Sequence, residues 1–176
     1  MRYTLIVLFT SALLLAACGS DDQDNPPAPT ALLADEHFVI EAVDARQLVR
    51  EVRHIDADFV VVNFWASWCL PCRKEFPEFI RYDQATADAA VRFVSLDFDD
   101  EVNLAADFLR EQGITGTTYM KTGRDQEFID SISSDWTGAI PATAVYDRAG
   151  NLLTFWEGMV DYEDLSARVE ALRTNS

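Results

Sequence analysis

Two cysteines separated by two residues, Cys69 and Cys72, are the side chains most capable of chemistry in this sequence. A pair at this spacing closes easily into a small disulfide ring and opens easily to a dithiol. Residues 59–65 are apolar and β-branched and predict a buried strand, whereas residues 73–80 predict a helix. Cys69 is therefore expected at a helix N-terminus, where backbone N–H groups and the helix dipole stabilise a thiolate. Because the thiolate attacks disulfides, the pair predicts thiol–disulfide exchange.

A structural disulfide and a zinc site are the alternative interpretations of the cysteine pair. Structural bridges usually close longer loops, because the entropic stabilisation grows with loop length. A zinc site needs about four ligands. His37 and His54 both lie upstream of the cysteines at no zinc spacing. No metal site is therefore predicted.

The N-terminus predicts a lipoprotein signal peptide over residues 1–17. Arg2 provides the positive start, and the apolar run 5–17 is too short to span a bilayer well. Small residues precede Cys18 and Gly19 follows it, which resembles the bacterial lipobox, so Cys18 is the predicted lipidation site. An ordinary secretory signal with an incidental Cys18 is the alternative. The expected location is extracytoplasmic and membrane-anchored, on the periplasmic side or at the outer membrane if the source has two membranes.

Two further segments follow the signal. Residues 18–34 are acidic and proline-rich and predict a tether, and residues 35–176 are long enough for one domain with a full core.

The chain has 14 Lys and Arg against 30 Asp and Glu, a net charge of −16. This charge argues against a nucleic-acid partner and against electrostatic binding to anionic lipids.

The hydrophobic patterns predict an α/β fold with a mixed sheet flanked by helices. Asp44 is a candidate cap for the first helix. Strands are predicted at 38–40 (as a short edge strand), 59–65, 91–97, 116–119, 142–146 and 152–156, and helices at 45–52, 69–85, 101–112, 125–131 and 161–173.

Three motifs in this order resemble the thioredoxin fold. They are the cysteine block 62–72, the segment 138–143 that resembles a cis-proline loop, and a terminal hairpin around 147–150. Within that superfamily the chain most resembles the TlpA/ResA-like group of membrane-tethered, extracytoplasmic thiol-disulfide proteins. That group carries Asn where classical thioredoxins have a buried Asp, and Asn63 matches it. The long stretch 91–141 resembles the group's central insertion, and the segment before the domain is an N-terminal extension.

The resemblance implies roles for the two cysteines and for the proline loop. Cys69 is the expected nucleophile that forms a mixed disulfide, and Cys72 is expected to resolve it. Pro141 is the predicted cis-proline, which presents the backbone of Ile140 to an extended substrate. Pro71 stiffens the ring and, lacking an N–H group, leaves the Cys69 thiolate fewer donors.

The resemblance also implies a role for Glu75, because the TlpA/ResA-like group has an acid in a Lys-Glu-Phe-Pro motif after the cysteines and residues 74–77 match it. Glu75 follows Cys69 by six residues in the same predicted helix. If it lies under the active site, burial raises its pKa towards neutrality, and it can relay a proton to or from Cys72. The alternative is a solvated helix glutamate. Trp65 is expected to support the disulfide as an apolar platform, and Trp68 to line the docking groove.

The sequence therefore predicts a thiol-disulfide oxidoreductase that reduces disulfides of exported proteins, with apocytochrome c before haem attachment as one candidate substrate. Its partners are those proteins and a membrane thiol donor. No cofactor is expected beyond the redox-active disulfide. The Leu70-Pro71 pair and Ile140 favour a reductant over the rival oxidase or isomerase of the same fold. A copper-delivery chaperone, a thiol peroxidase and a redox-inert binding module are less favoured, since the cysteine spacing and surrounding residues do not suit them.

Overall fold

The computed structural model describes residues 26–98 and 101–174. Cys18 and the predicted signal peptide lie outside the described residues. The elements follow the order β1 (Thr30–Ala34), β2 (Phe38–Val43), α1 (Ala45–His54), β3 (Phe59–Trp65), α2 (Leu70–Ala85), β4 (Ala89–Ser95), α3 (Val102–Glu111), β5 (Gly116–Lys121), α4 (Asp125–Ile132), β6 (Ala142–Asp147), β7 (Leu152–Glu157) and α5 (Tyr162–Arg173).

All of the strands form one mixed sheet in the order β1-β2-β5-β4-β3-β6-β7. β2, β5, β4 and β3 run parallel, while β1, β6 and β7 add antiparallel partners at the two sides. The carboxyl ends of the parallel strands therefore meet along one edge, which is where ligand and reaction sites form in open α/β sheets. The predicted fold class is confirmed.

Helices cover both faces of the sheet and enclose two hydrophobic clusters. Side chains of α2, α3 and α5 pack on one face and include Phe76, Phe108 and Leu165. Side chains of α1 and α4 pack on the other face, around Leu48 and Phe128. β3 lies between β4 and β6 with helices on both faces of the sheet, so its seven residues are all buried.

Local sequence signals explain where the helices beside this edge begin. The Asp44 side chain accepts from the Gln47 N–H and the Gln47 side chain from the Asp44 N–H, each at 2.8 Å, forming a capping box at α1. Asp161 caps α5 by accepting from the Asp164 N–H at 2.9 Å. Cys69 is the N-cap of α2, as the sequence predicts.

The sheet begins earlier in the chain than the sequence indicates. The sequence places Thr30–Ala34 in the tether, but this segment forms β1 and pairs antiparallel with β2. The prediction that residues 38–40 form an edge strand is therefore wrong, because β2 lies between β1 and β5. Gln47 Nε2 also donates to the Pro27 carbonyl at 2.9 Å, which attaches the end of the described tether to α1.

The central insertion adds a strand inside the sheet. β5 and α4 fall within the predicted insertion 91–141, and β5 separates β2 from β4. Within residues 26–98 and 101–174, none of the helices combines the length and the apolar character needed to cross a membrane.

Candidate active site

The two cysteines lie where β3 leads into α2, and they are joined by a disulfide with an S–S distance of 2.02 Å. Cys69 is 5% exposed, and Cys72, one turn into the helix, is fully buried. The Cys72 N–H donates to Cys69 Sγ at 3.3 Å, at the start of a helix where Pro71 contributes no N–H. Cys69 therefore carries the sulfur nearer to solvent, as the sequence predicts. The backbone N–H groups at the start of α2 are available to stabilise its thiolate.

The proline loop before β6 lies directly against the disulfide. The Ile140–Pro141 peptide bond is cis, which confirms the prediction for Pro141. The Ile140 carbonyl oxygen lies 3.8 Å from Cys69 Sγ. The Pro141 carbonyl accepts from the Gly158 N–H at 2.8 Å, which ties this loop to the end of β7. The backbone next to Cys69 is thus held in a fixed position.

Glu75 is a buried carboxyl group on the same helix, one turn beyond Cys72. Its side chain is 3% exposed and accepts from Asn63 Nδ2 at 2.8 Å and from the Val160 N–H at 3.1 Å. Burial raises the pKa of Glu75 to about 7, although the two hydrogen bonds act in the opposite direction. Glu75 is buried, so the solvated alternative is wrong, and its role in proton transfer stays a prediction.

Asn63 and Glu75 form one polar pair inside an apolar region. Asn63 is fully buried in β3. Positions three apart on a helix are neighbours, so Cys72 and Glu75 share one face of α2. The arrangement therefore places a group that titrates near neutral pH beside the buried cysteine, where it can exchange a proton with the thiol.

Aromatic residues surround the disulfide in two different ways. Trp65 is fully buried in the same hydrophobic cluster as both cysteines, with its ring centroid 5.2 Å from that of Phe76 and 5.0 Å from that of Phe108. Its role as a platform for the disulfide stays a prediction. Trp68 and Leu70 are instead 62% and 63% exposed on either side of Cys69. They supply apolar surface next to the reactive sulfur, where the docking groove was predicted.

Asp97 is a site residue that sequence analysis missed. It is buried, and it accepts from the Ser67 N–H at 2.9 Å, from Ser67 Oγ at 2.7 Å and from Ser95 Oγ at 2.6 Å. Trp65 pairs with Ser95 in the parallel ladder, so Ser67 and Asp97 lie opposite each other just beyond the strand ends. The carboxylate therefore fixes the loop that leads into Cys69.

We expect Asp97→Asn to lower the free energy of unfolding by about 2 to 4 kcal/mol, because it removes the charge that Ser67 and Ser95 pair with in a buried location. Cys69 should also react more slowly, while the pH dependence set by Glu75 is unchanged. Urea unfolding and alkylation rates of the reduced protein measure these effects. Asp107→Asn is the matched control, since Asp107 is exposed and its pair with Arg110 lies at the surface, where such pairs contribute only about 0–1 kcal/mol.

The fold and the site together define a class: a protein that exchanges electrons through a dithiol at the N-terminus of a sheet-packed helix. Residues 39–137 match the thioredoxin family. The thiol:disulfide interchange protein HelX of Rhodobacter capsulatus is 32% identical over 157 residues, which cover 85% of this chain and 82% of HelX. The thiol-disulfide oxidoreductase ResA of Bacillus subtilis is 24% identical over 135 residues, covering 73% of this chain and 72% of ResA.

A solved structure agrees with these relatives. A thioredoxin-related protein from Neisseria meningitidis serogroup B superposes with a TM-score of 0.57 at 25% identity, over 68% of this chain and 88% of that protein. The chain belongs to the thioredoxin family and is a thiol-disulfide oxidoreductase. The predicted resemblance to the TlpA/ResA-like group is confirmed.

Proposed function

We propose that this protein reduces disulfide bonds of exported proteins, with Cys69 as the nucleophile and Cys72 as the resolving cysteine. The observation that carries the proposal is the buried Glu75 carboxyl beside Cys72, with a pKa of about 7. A reductant must remove the proton of its buried thiol before that thiol can attack, and a carboxylate available near neutral pH performs this step. The exposure order of the two sulfurs supports the same assignment.

The proposed reaction has two exchange steps. The Cys69 thiolate attacks one sulfur of the substrate disulfide, a mixed disulfide forms, and the first substrate thiolate leaves and takes a proton from solvent. Cys72 then gives its proton to the Glu75 carboxylate and attacks Cys69 Sγ. The Cys69–Cys72 disulfide forms, and the second substrate sulfur leaves as a thiolate. Two electrons pass from the dithiol to the substrate, so no cofactor is required.

The substrate is proposed to bind as an extended segment across Trp68 and the Ile140–Pro141 loop. The Ile140 backbone lies next to Cys69 and can pair with an extended chain, as strand addition does in other complexes. The exposed rings and side chains of Trp68 and Leu70 offer apolar contact to flanking residues. An unfolded polypeptide presents such a segment readily, which suits a newly exported protein such as apocytochrome c.

The proposed location is extracytoplasmic, with a lipid on Cys18 as the membrane anchor. The lipobox-like sequence before Cys18 supports the anchor, and the proline-rich segment after it supports a tether to the domain. An exported dithiol is exposed to oxidising conditions. A membrane thiol donor is therefore the proposed source of electrons, and nucleic acid is not a proposed partner.

The proposal is tested by the redox state of the pair in cells. Cells that produce the full chain are quenched in acid, thiols are alkylated, and the mass shift reports the fraction of Cys69 and Cys72 that is reduced. A largely reduced pair, with exported proteins accumulating disulfides when the gene is deleted, supports the reductase. A fully oxidised pair, with exported proteins losing disulfides on deletion, identifies an oxidase instead.

A further inference from the structure

Three polar atoms in one row across the sheet, close to Glu75, are without a hydrogen-bond partner among residues 26–98 and 101–174. They are Asn63 Oδ1 in β3, Thr143 Oγ1 in β6 and Trp156 Nε1 in β7. Asn63 pairs with Thr143, and Thr143 pairs with Trp156, in successive antiparallel ladders. Directly paired residues place their side chains on the same face, so the three groups are neighbours.

The row lies inside the protein, on the face of the sheet that carries the active-site helix. Asn63 is fully buried and Thr143 is 1% exposed, and Trp156 packs against the hydrophobic cluster that contains both cysteines. Buried polar atoms are nearly always paired in folded proteins, because an unpaired one is destabilising. Three adjacent atoms of this kind therefore indicate one shared partner.

The chemistry of the three atoms matches a single water molecule. The indole N–H of Trp156 can only donate, the amide oxygen of Asn63 can only accept, and the Thr143 hydroxyl can do either. Cβ atoms of directly paired residues lie about 4.5–5.5 Å apart, so a water beside Thr143 can also contact Asn63. Trp156 lies on the other side of Thr143, and its long side chain can extend the indole N–H towards the same point. Buried waters make about three hydrogen bonds, which is the number available here.

We propose that Asn63 Oδ1, Thr143 Oγ1 and Trp156 Nε1 bind one buried water molecule, which holds the Asn63 amide with Nδ2 towards Glu75. An asparagine amide can rotate to exchange its donor and acceptor ends. A water that donates to Oδ1 favours the orientation in which Nδ2 donates to the Glu75 carboxylate at 2.8 Å. Thr143 is thus a positioning residue that stabilises the charged form of Glu75 through water and Asn63.

The orientation of the Asn63 amide affects the pKa of Glu75 because few groups donate hydrogen bonds to this carboxylate. Within the described part of the chain, Glu75 accepts hydrogen bonds from Asn63 and from the Val160 N–H, so turning the Asn63 amide removes one of the two. The relevance to catalysis depends on the role proposed for Glu75 above. Cys72, three residues before Glu75 on α2, is held in the disulfide of the oxidised chain and does not titrate there. On the packed elements, Asp161 follows Val160 in the chain, and the Arg168 guanidinium on α5 lies 4.8 Å from the centre of the Trp156 ring.

The test follows the Glu75 carboxyl by carbon NMR across a pH titration of the oxidised full chain. Thr143→Val keeps the side-chain shape but removes the hydroxyl, and it should raise the pKa of Glu75 by about 0.5 to 1 unit. Thr143→Ser retains the hydroxyl and should titrate like the wild type. Thr118→Val is the matched control, since the buried Thr118 hydroxyl donates to the Phe93 carbonyl, in β4, instead.

A high-resolution crystal structure of the wild type provides the second readout. Ordered water among the three atoms, together with the pKa shift in Thr143→Val, supports the proposal. A Thr143→Val titration equal to the wild type overturns it, as does a site in which Thr143 Oγ1 bonds Asn63 Oδ1 directly. Neither readout depends on the direction of electron flow, so failure of the reductase proposal is distinguishable from failure here.

Discussion

Replacement of Cys69 by Ser is expected to lower the rate of disulfide reduction by about 10³-fold or more, because a serine hydroxyl does not ionise near neutral pH. The fold should remain, since Ser is close in size and only one sulfur is lost. Cys72→Ser should behave differently. Its Cys69 thiolate still attacks the substrate, but no resolving thiol remains, so the mixed disulfide accumulates.

The two variants are compared by mass spectrometry after reaction with a disulfide-bonded peptide. Cys72→Ser should carry one covalently attached peptide on Cys69, and Cys69→Ser should carry almost none. Cys69, at 5% exposure, is the more accessible of the two sulfurs, and Cys72 is completely buried; this is the physical basis of the difference. Equal trapping in both variants would contradict the assigned order of attack.

Replacement of Glu75 by Gln is expected to lower the rate of mixed-disulfide resolution at pH 7.5 by about 10²-fold. The sign follows from the pKa of about 7 for Glu75. Above that pH the wild-type carboxylate can accept the Cys72 proton, and below it the carboxyl is already protonated. The wild-type rate should therefore rise as pH increases through about 7, and the variant should lack this rise.

Rapid-mixing fluorescence at a series of pH values measures the resolution step directly. Glu78→Gln is the matched control, because Glu78 lies on the same helix but pairs with Arg81 at the surface, at 3.8 Å. It should retain the wild-type profile. A Glu75→Gln profile that keeps the rise near pH 7 would assign that titration to another group.

The elements that carry the chemistry could be predicted because their signals are local. Each of these signals involves only a few residues that are close together in the sequence. They are the apolar run of β3, the Asp44–Gln47 capping box and the position of Cys69 as a helix cap. The burial of Glu75 is a hypothesis that rests mostly on the family resemblance, since its spacing from Cys69 does not by itself fix which helix face it occupies.

The contacts that complete the site could not be predicted, because they join distant parts of the chain. Val160 donates to Glu75 across 85 residues, and Ser67 donates to Asp97 across 30 residues. Such pairs depend on the register of the ladders and on the loop after β7. The parallel alignment of β3 with β4 is the signal that identifies Asp97, and it becomes visible only once the sheet is known.

β1 shows how tertiary pairing overrides composition. Thr30–Ala34 follows a proline-rich, acidic segment, which is typical of a tether. It forms a strand because β2 offers an unpaired edge, and hydrogen bonding along that edge satisfies both backbones. The sheet therefore begins at Thr30 and not after residue 35.

The reduction potential of the Cys69–Cys72 pair tests the central claim most directly. Equilibration of the full chain in glutathione or dithiothreitol buffers, followed by alkylation, gives the potential from the fraction reduced. A reductase predicts a value near or below roughly −250 mV, close to that of thioredoxin. A value of roughly −120 to −180 mV, in the range of oxidants and isomerases, would contradict the account.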